Sequence, residues 1–140
     1  MDAEKLAQEV LEKKKLQEQQ RRKKRYTFRI EYEGGEGKLV GTFTNQILTF
    51  NDRLQVGNLA ARLRGGVSVA SLDPDTLEIS QMMAWLMVSI QKKDDRPDWA
   101  EDFGELYDPA LLRAIYQEVQ EHEAIFRRPR DDQGGGQGEG

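Results

Sequence analysis

The chain has 140 residues, 37% hydrophobic and 33% charged, a balance that allows one core with solvated material outside it. It has no cysteine and one histidine, His122, which excludes disulfides, thiolate chemistry and any metal site built on several histidines. The net charge of −4 is uneven: residues 1–25 hold nine Lys/Arg against five Asp/Glu, and residues 26–140 hold twelve against twenty. An acidic body argues against a globular nucleic-acid-binding surface. A charged amino terminus without an apolar run argues against a signal peptide, so the expectation is a soluble, cytoplasmic protein.

Residues 3–25 lack Gly and Pro and are rich in Glu, Lys, Gln and Leu, which predicts a helix. Glu9 with Lys13 and Glu18 with Arg22 stand at the favourable four-residue spacing. Leu6, Val10, Leu11 and Leu16 make no full stripe, so the helix is expected to be an exposed arm. Its basic residues, Lys13, Lys14, Lys15, Arg21, Arg22, Lys23, Lys24 and Arg25, either solvate the arm or meet nucleic acid or an acidic partner.

At residue 26 the period changes. Tyr26, Phe28, Ile30 and Tyr32 alternate with polar residues, the pattern of a strand over 26–33 with one buried face. Gly34-Gly35-Glu36-Gly37 reads as a four-residue hairpin loop, and 38–43 as the return strand. The glycines are no phosphate loop, since no helix follows directly and no Lys-Ser/Thr closes the motif. Residues 44–50 lead into a helix predicted over 52–64, with Thr49 or Asn51 as its cap. Val56, Leu59, Ala60 and Leu63 give it an apolar stripe, and Gly65-Gly66 ends it. Arg53, Arg62 and Arg64 lie off that stripe and read as a solvated face.

The stretch 74–91 is the centre of the sequence. Asp73 can cap it and Pro74 suits its first turn. From Met82 to Ile90 only Ser89 is polar, so the helix has no polar face there and is expected to be buried all round. The apolar run is too short to span a bilayer, and no membrane association is expected. Residues 92–108 read as a loop pinned by Trp99 and Phe103. Its seven acids match no calcium-loop spacing and offer no buried acid–base pair. Asp108-Pro109 opens a last helix over 109–127, with Leu112, Ile115, Val119 and Phe126 on one side. His122 stands beside them as a boundary packing residue.

The fold class expected is α+β, mostly α: a basic helical arm (1–25), a single globular domain of a β-hairpin plus three helices (26–128), and a disordered Gly-rich tail (129–140). No Ser-His-Asp arrangement is defensible, and no catalytic residue, metal site or cofactor is assigned.

Several segments together carry a resemblance. They are Gly41-x-Phe43, Leu48-Thr49-Phe50-x-Asp52-x-Leu54, Arg62-x-Arg64-Gly65-Gly66, Leu72-Asp73-Pro74, the Met-x-Ala-x-Leu-x-Val helix at 82–88, Pro97-x-Trp99, and Asp108-Pro109 with Leu111-Leu112, Ile115-Tyr116, Glu118-Val119 and Glu123-x-x-Phe126. In this order, over roughly residues 28–127, the chain resembles the tail assembly chaperones of long-tailed bacteriophages. The resemblance implies a non-enzymatic factor in the host cytoplasm, absent from the mature virion. Such a factor binds the tape-measure protein and recruits tail-tube protein subunits. The basic arm is not part of that pattern. Methionines 82, 83 and 87 suit an adaptable apolar surface. Met82, Trp85, Leu86 and Trp99 are the partner-binding candidates, with self-association as another use of the same apolar surface. Two alternatives stay open: a nucleic-acid-binding or packaging accessory acting through residues 13–25, and a permanent virion connector or tail component.

Overall fold

The computed structural model describes residues 2–129; of the Gly-rich tail expected over 129–140, residues 130–140 lie outside the described residues. Its elements run α1 (Ala3–Arg21), β1 (Arg25–Gly34), β2 (Gly37–Gln46), α2 (Phe50–Leu63), α3 (Pro74–Ser89) and α4 (Pro109–Arg127). Short 3-10 turns lie between the last three helices. The mostly helical α+β class read from the sequence is the class observed.

Each of the four helices starts on a side-chain cap, because the first amides of a helix have no acceptor of their own. Asp2 caps α1, Asp73 caps α3 and Asp108 caps α4. At α2, Thr49 and Asp52 cap each other reciprocally, at 3.1 and 2.9 Å. That box starts α2 at Phe50, two residues before the predicted boundary.

The hairpin is longer and tighter than expected. Gly34 pairs with Gly37, so the loop shrinks to Gly35-Glu36, and Gly37 takes a φ of +91° that suits glycine. The ladder continues through Thr44, Asn45 and Gln46, assigned from sequence to the lead-in of α2. Arg25, assigned to the arm, is the first residue of β1 and pairs with Gln46. α1 therefore ends at Arg21, short of the predicted residue 25.

One hairpin face packs on the helices. Phe28 stacks on Phe43 at 5.6 Å between ring centroids, and Phe43 meets Phe103 and the edge of Trp99. The core joins these rings to Met82, Leu86 and Ile90 of the α3 segment and to Leu111, Leu112, Ile115 and Val119 of α4. No residue from Met82 to Ile90 is exposed, as a helix without a polar face requires.

The loop after α3 is fixed from both sides. Arg96 donates to the carbonyls of Ile90 (2.7 Å), Glu101 (2.7 Å) and Gln91 (3.4 Å), and its guanidinium lies over Phe103 at 4.7 Å. Burial pulls its pKa below the usual arginine value, with Asp102, Asp95 and Glu101 opposing. Trp99 donates to the Val40 carbonyl at 3.0 Å. Pro97 presses so closely on Gly41 that a Cβ there would sit 2.6 Å from the proline ring. Two segments of the sequence pattern, Gly41-x-Phe43 and Pro97-x-Trp99, thus meet in space.

Candidate functional site

The four apolar candidates do not form one surface. Met82 is 2% exposed and Leu86 is 0% exposed, so both are enclosed by the fold. Trp99 is half-buried against β2. Trp85 is half-buried on the other side of the core, where it lines a groove beside α2.

That groove has a volume of about 430 Å³ and is walled by Arg53 and Gly57 of α2, Arg64 at its carboxyl cap, Trp85 of α3 and Tyr116 of α4. None of its lining residues is an Asp or Glu. The guanidinium of Arg53 lies over the Trp85 ring at 5.5 Å and stands 3.7 Å from Glu123. Arg64 makes no ion pair and no side-chain hydrogen bond among the described residues; its Nε and the Trp85 indole N–H are enclosed without acceptors. Arg53 and Arg64, read from sequence as solvated, are groove walls. Arg62 borders a second groove across α2, about 330 Å³, with Met87 and Val88 opposite.

α2 packs its main stripe on α3 and leaves its outer edge bare: Phe50 is 82% exposed and Leu54 is 68% exposed. With Gly57 and Ala61 they follow at spacings of four, three and four, along one helix edge next to the groove. Gly57 is unexplained by the fold itself, since a Cβ there would meet nothing within 4 Å. Glycine in a helix interior costs roughly 0.5–1 kcal/mol relative to alanine.

The basic cluster splits. Arg21 bridges Glu118 (3.5 Å) and Glu121 (3.2 Å) of α4 and stacks over Tyr26 at 5.2 Å. Burial, first of all, raises the Tyr26 pKa. Arg22 pairs with Glu18 at 3.3 Å and donates to the Arg128 carbonyl at 3.2 Å, and Arg25 pairs with Asp95 at 3.1 Å. Lys13, Lys14, Lys15, Lys23 and Lys24 are exposed and make no ion pair among the described residues. The last turn of α1 is therefore held to α4, while its first half stands free of the body.

His122 lies deeper than its expected boundary place. It is fully buried, with Nδ1 2.9 Å from the Asn45 amide nitrogen and Nε2 2.7 Å from the Lys23 carbonyl. The neutral ring with hydrogen on Nε2 satisfies both contacts: Nδ1 accepts from Asn45 and Nε2 donates to Lys23. Burial lowers its pKa, opposed by the Lys23 contact. Beside it, buried Glu123 accepts from the Leu48 amide at 3.0 Å and from Arg127 at 3.0 Å. Apart from Arg127, one turn on from Glu123, these partners are far apart in sequence, so periodicity carries no signal for them.

At the hairpin tip, the Tyr32 hydroxyl donates to Asp108, and Glu36 accepts from the Asp108 amide at 3.0 Å. The Tyr32 contact is the main cause of a lowered Asp108 pKa and a raised Tyr32 pKa. These contacts anchor the start of α4.

Among the described residues, no group of three or more His, Cys, Asp or Glu is placed to hold a metal ion, and no helix is long and apolar enough to cross a membrane. The chain matches no protein-family model, no curated protein and no solved structure.

Proposed function

We propose that this chain is a non-enzymatic, protein-binding factor that serves as a tail assembly chaperone of a long-tailed phage. It binds the tape-measure protein and recruits tail-tube subunits in the host cytoplasm, and it leaves before the virion is complete. The observation supporting protein binding is the apolar side chain left bare on α1 and α2 beside a closed core. Exposed apolar side chain along a helix edge suits a partner helix. The tail-assembly part of the reading rests on the sequence resemblance.

The test is co-expression of the tagged chain with the tape-measure and tube proteins of its own genome, purified in high salt with nuclease present. Recovery of either partner, with the chain absent from finished particles, supports the reading. Recovery of neither overturns it, and so does retention of the chain in particles. A second reading keeps support from the exposed, unpaired lysines 13, 14 and 15: nucleic-acid contact through the arm. It requires nucleic acid retained at low salt and shed steeply as salt rises.

A further inference from the structure

Two bare surfaces of this molecule complement each other. The first is the α2 edge, where exposed Phe50 and Leu54 share one side of the helix with Gly57, which lines the groove of Arg53, Arg64 and Trp85. From residue 50 to residue 66 the chain carries three arginines against one aspartate, a net +2 on a body that is otherwise acidic. The second is the first half of α1. Residues 2–12 carry Asp2, Glu4, Glu9 and Glu12 against Lys5, a net −3. Leu6, Val10 and Leu11, each about half-exposed, lie on one side of that half with Ala3 and Ala7. The first half of the arm is thus acidic and apolar-edged, and the α2 edge is basic and apolar-edged.

We propose that the amino-terminal half of α1 docks into the α2 groove of a second copy of this chain, and that reciprocal exchange of arms closes a two-fold dimer. Lengths agree: ten helical residues of the arm span about 15 Å, and the α2 edge from Phe50 to Leu63 spans about 20 Å. Charge agrees, because Arg64 has no acid partner among the described residues and the arm brings carboxylates. Close approach agrees as well. Gly57 leaves the middle of α2 without a side chain, a flat place where a second helix backbone can lie. A small anion would meet Arg64 but leave Phe50 and Leu54 in water, whereas the arm covers both. In its own copy the arm does not fill the groove, since residues 2–17 are all exposed while the last turn is held to α4 through Arg21. Reciprocal exchange gives each copy the same two contacts and leaves no open end. The inference is independent of any role in tail assembly; a client helix taking the same groove would compete with the arm.

Sedimentation velocity on the full chain tests this. The expected result is a concentration-dependent dimer that weakens as salt rises. A dead-arm variant, Leu6→Lys with Val10→Lys, and a blocked-groove variant, Gly57→Leu with Arg64→Glu, each weaken association by about tenfold or more. Both should keep the parent's helical content in circular dichroism and unfold cooperatively, since the substituted side chains touch little of the core. Mixing the two variants restores a heterodimer, because one supplies an intact groove and the other an intact arm. A parent that stays monomeric at every concentration overturns the proposal. So does association unchanged in both variants, or a mixture that fails to associate.

Discussion

α2 and α3 start in the same way, on a capping side chain, and both are rich in apolar residues. Their fates differ. α3 packs against the hairpin, α2 and α4, and none of its residues from Met82 to Ile90 is exposed. α2 packs chiefly on α3 and keeps Phe50 and Leu54 in water. The same residue type therefore carries different weight on the two helices. A leucine in α3 holds the fold, and a leucine on the outer edge of α2 is available for contact. In this molecule, apolar content reports burial on one helix and exposure on the other.

The largest effects should come from the leucines of the two helices. Leu86→Ala in α3 empties a fully buried site and should cost about 2–5 kcal/mol. Leu54→Ala on α2 should stay within about 0.5 kcal/mol of the parent. Urea unfolding of both variants measures the contrast, and equal costs would abolish it.

A smaller contrast lies between two glycines. Gly41→Ala drives a Cβ to 2.6 Å from the Pro97 ring and should cost about 1–3 kcal/mol. Gly57→Ala meets open space in a helix interior and should stabilise by roughly 0.5–1 kcal/mol. Thermal melts of the pair should move in opposite directions. A destabilised Gly57→Ala would mean that α2 is packed more tightly than its surroundings indicate.

The third expectation concerns pH and acts on the hairpin–α4 side alone. The folded chain holds His122 below its ordinary value of 6.5, so the unfolded chain takes up the proton first. This contribution to stability is complete above pH 6.5 and declines as the pH falls through that value towards the lower, folded one. His122 faces Asn45 and the Lys23 carbonyl, with Tyr26, Arg21 and Glu123 close by. Melting temperatures recorded as the pH is lowered to about 5.5 should fall in the parent, and less steeply in His122→Gln. Parallel profiles would remove His122 as the cause.

Much of the fold is readable from local signals. The Asp-Pro starts of α3 and α4, the alternation from Tyr26 to Tyr32 and the apolar run from Met82 all report short-range chemistry. Boundaries were less readable where two elements share the outcome. The extension of β2 to Gln46 depends on β1 pairing across from it, and the early start of α2 depends on Thr49 and Asp52 finding each other. The groove was hidden for a related reason. Arg53 and Arg64 look solvated on a helical wheel of α2 alone, and become walls only when Trp85 and Tyr116 arrive from two other helices.

By itself the sequence determined the caps of α3 and α4, the periods, the lack of cysteine and the separation of a basic arm from an acidic body. Each of these is a property of neighbours along the chain. Tertiary structure alone decided that Met82 and Leu86 are enclosed while Trp85 borders a groove, and that His122 meets Asn45 and Lys23. It also decided that Arg21, Arg22 and Arg25 face acids of their own chain while Lys13, Lys14 and Lys15 do not. Burial and pairing depend on which surfaces meet, and a helix with apolar residues on several sides leaves that choice to the packing of the rest of the chain.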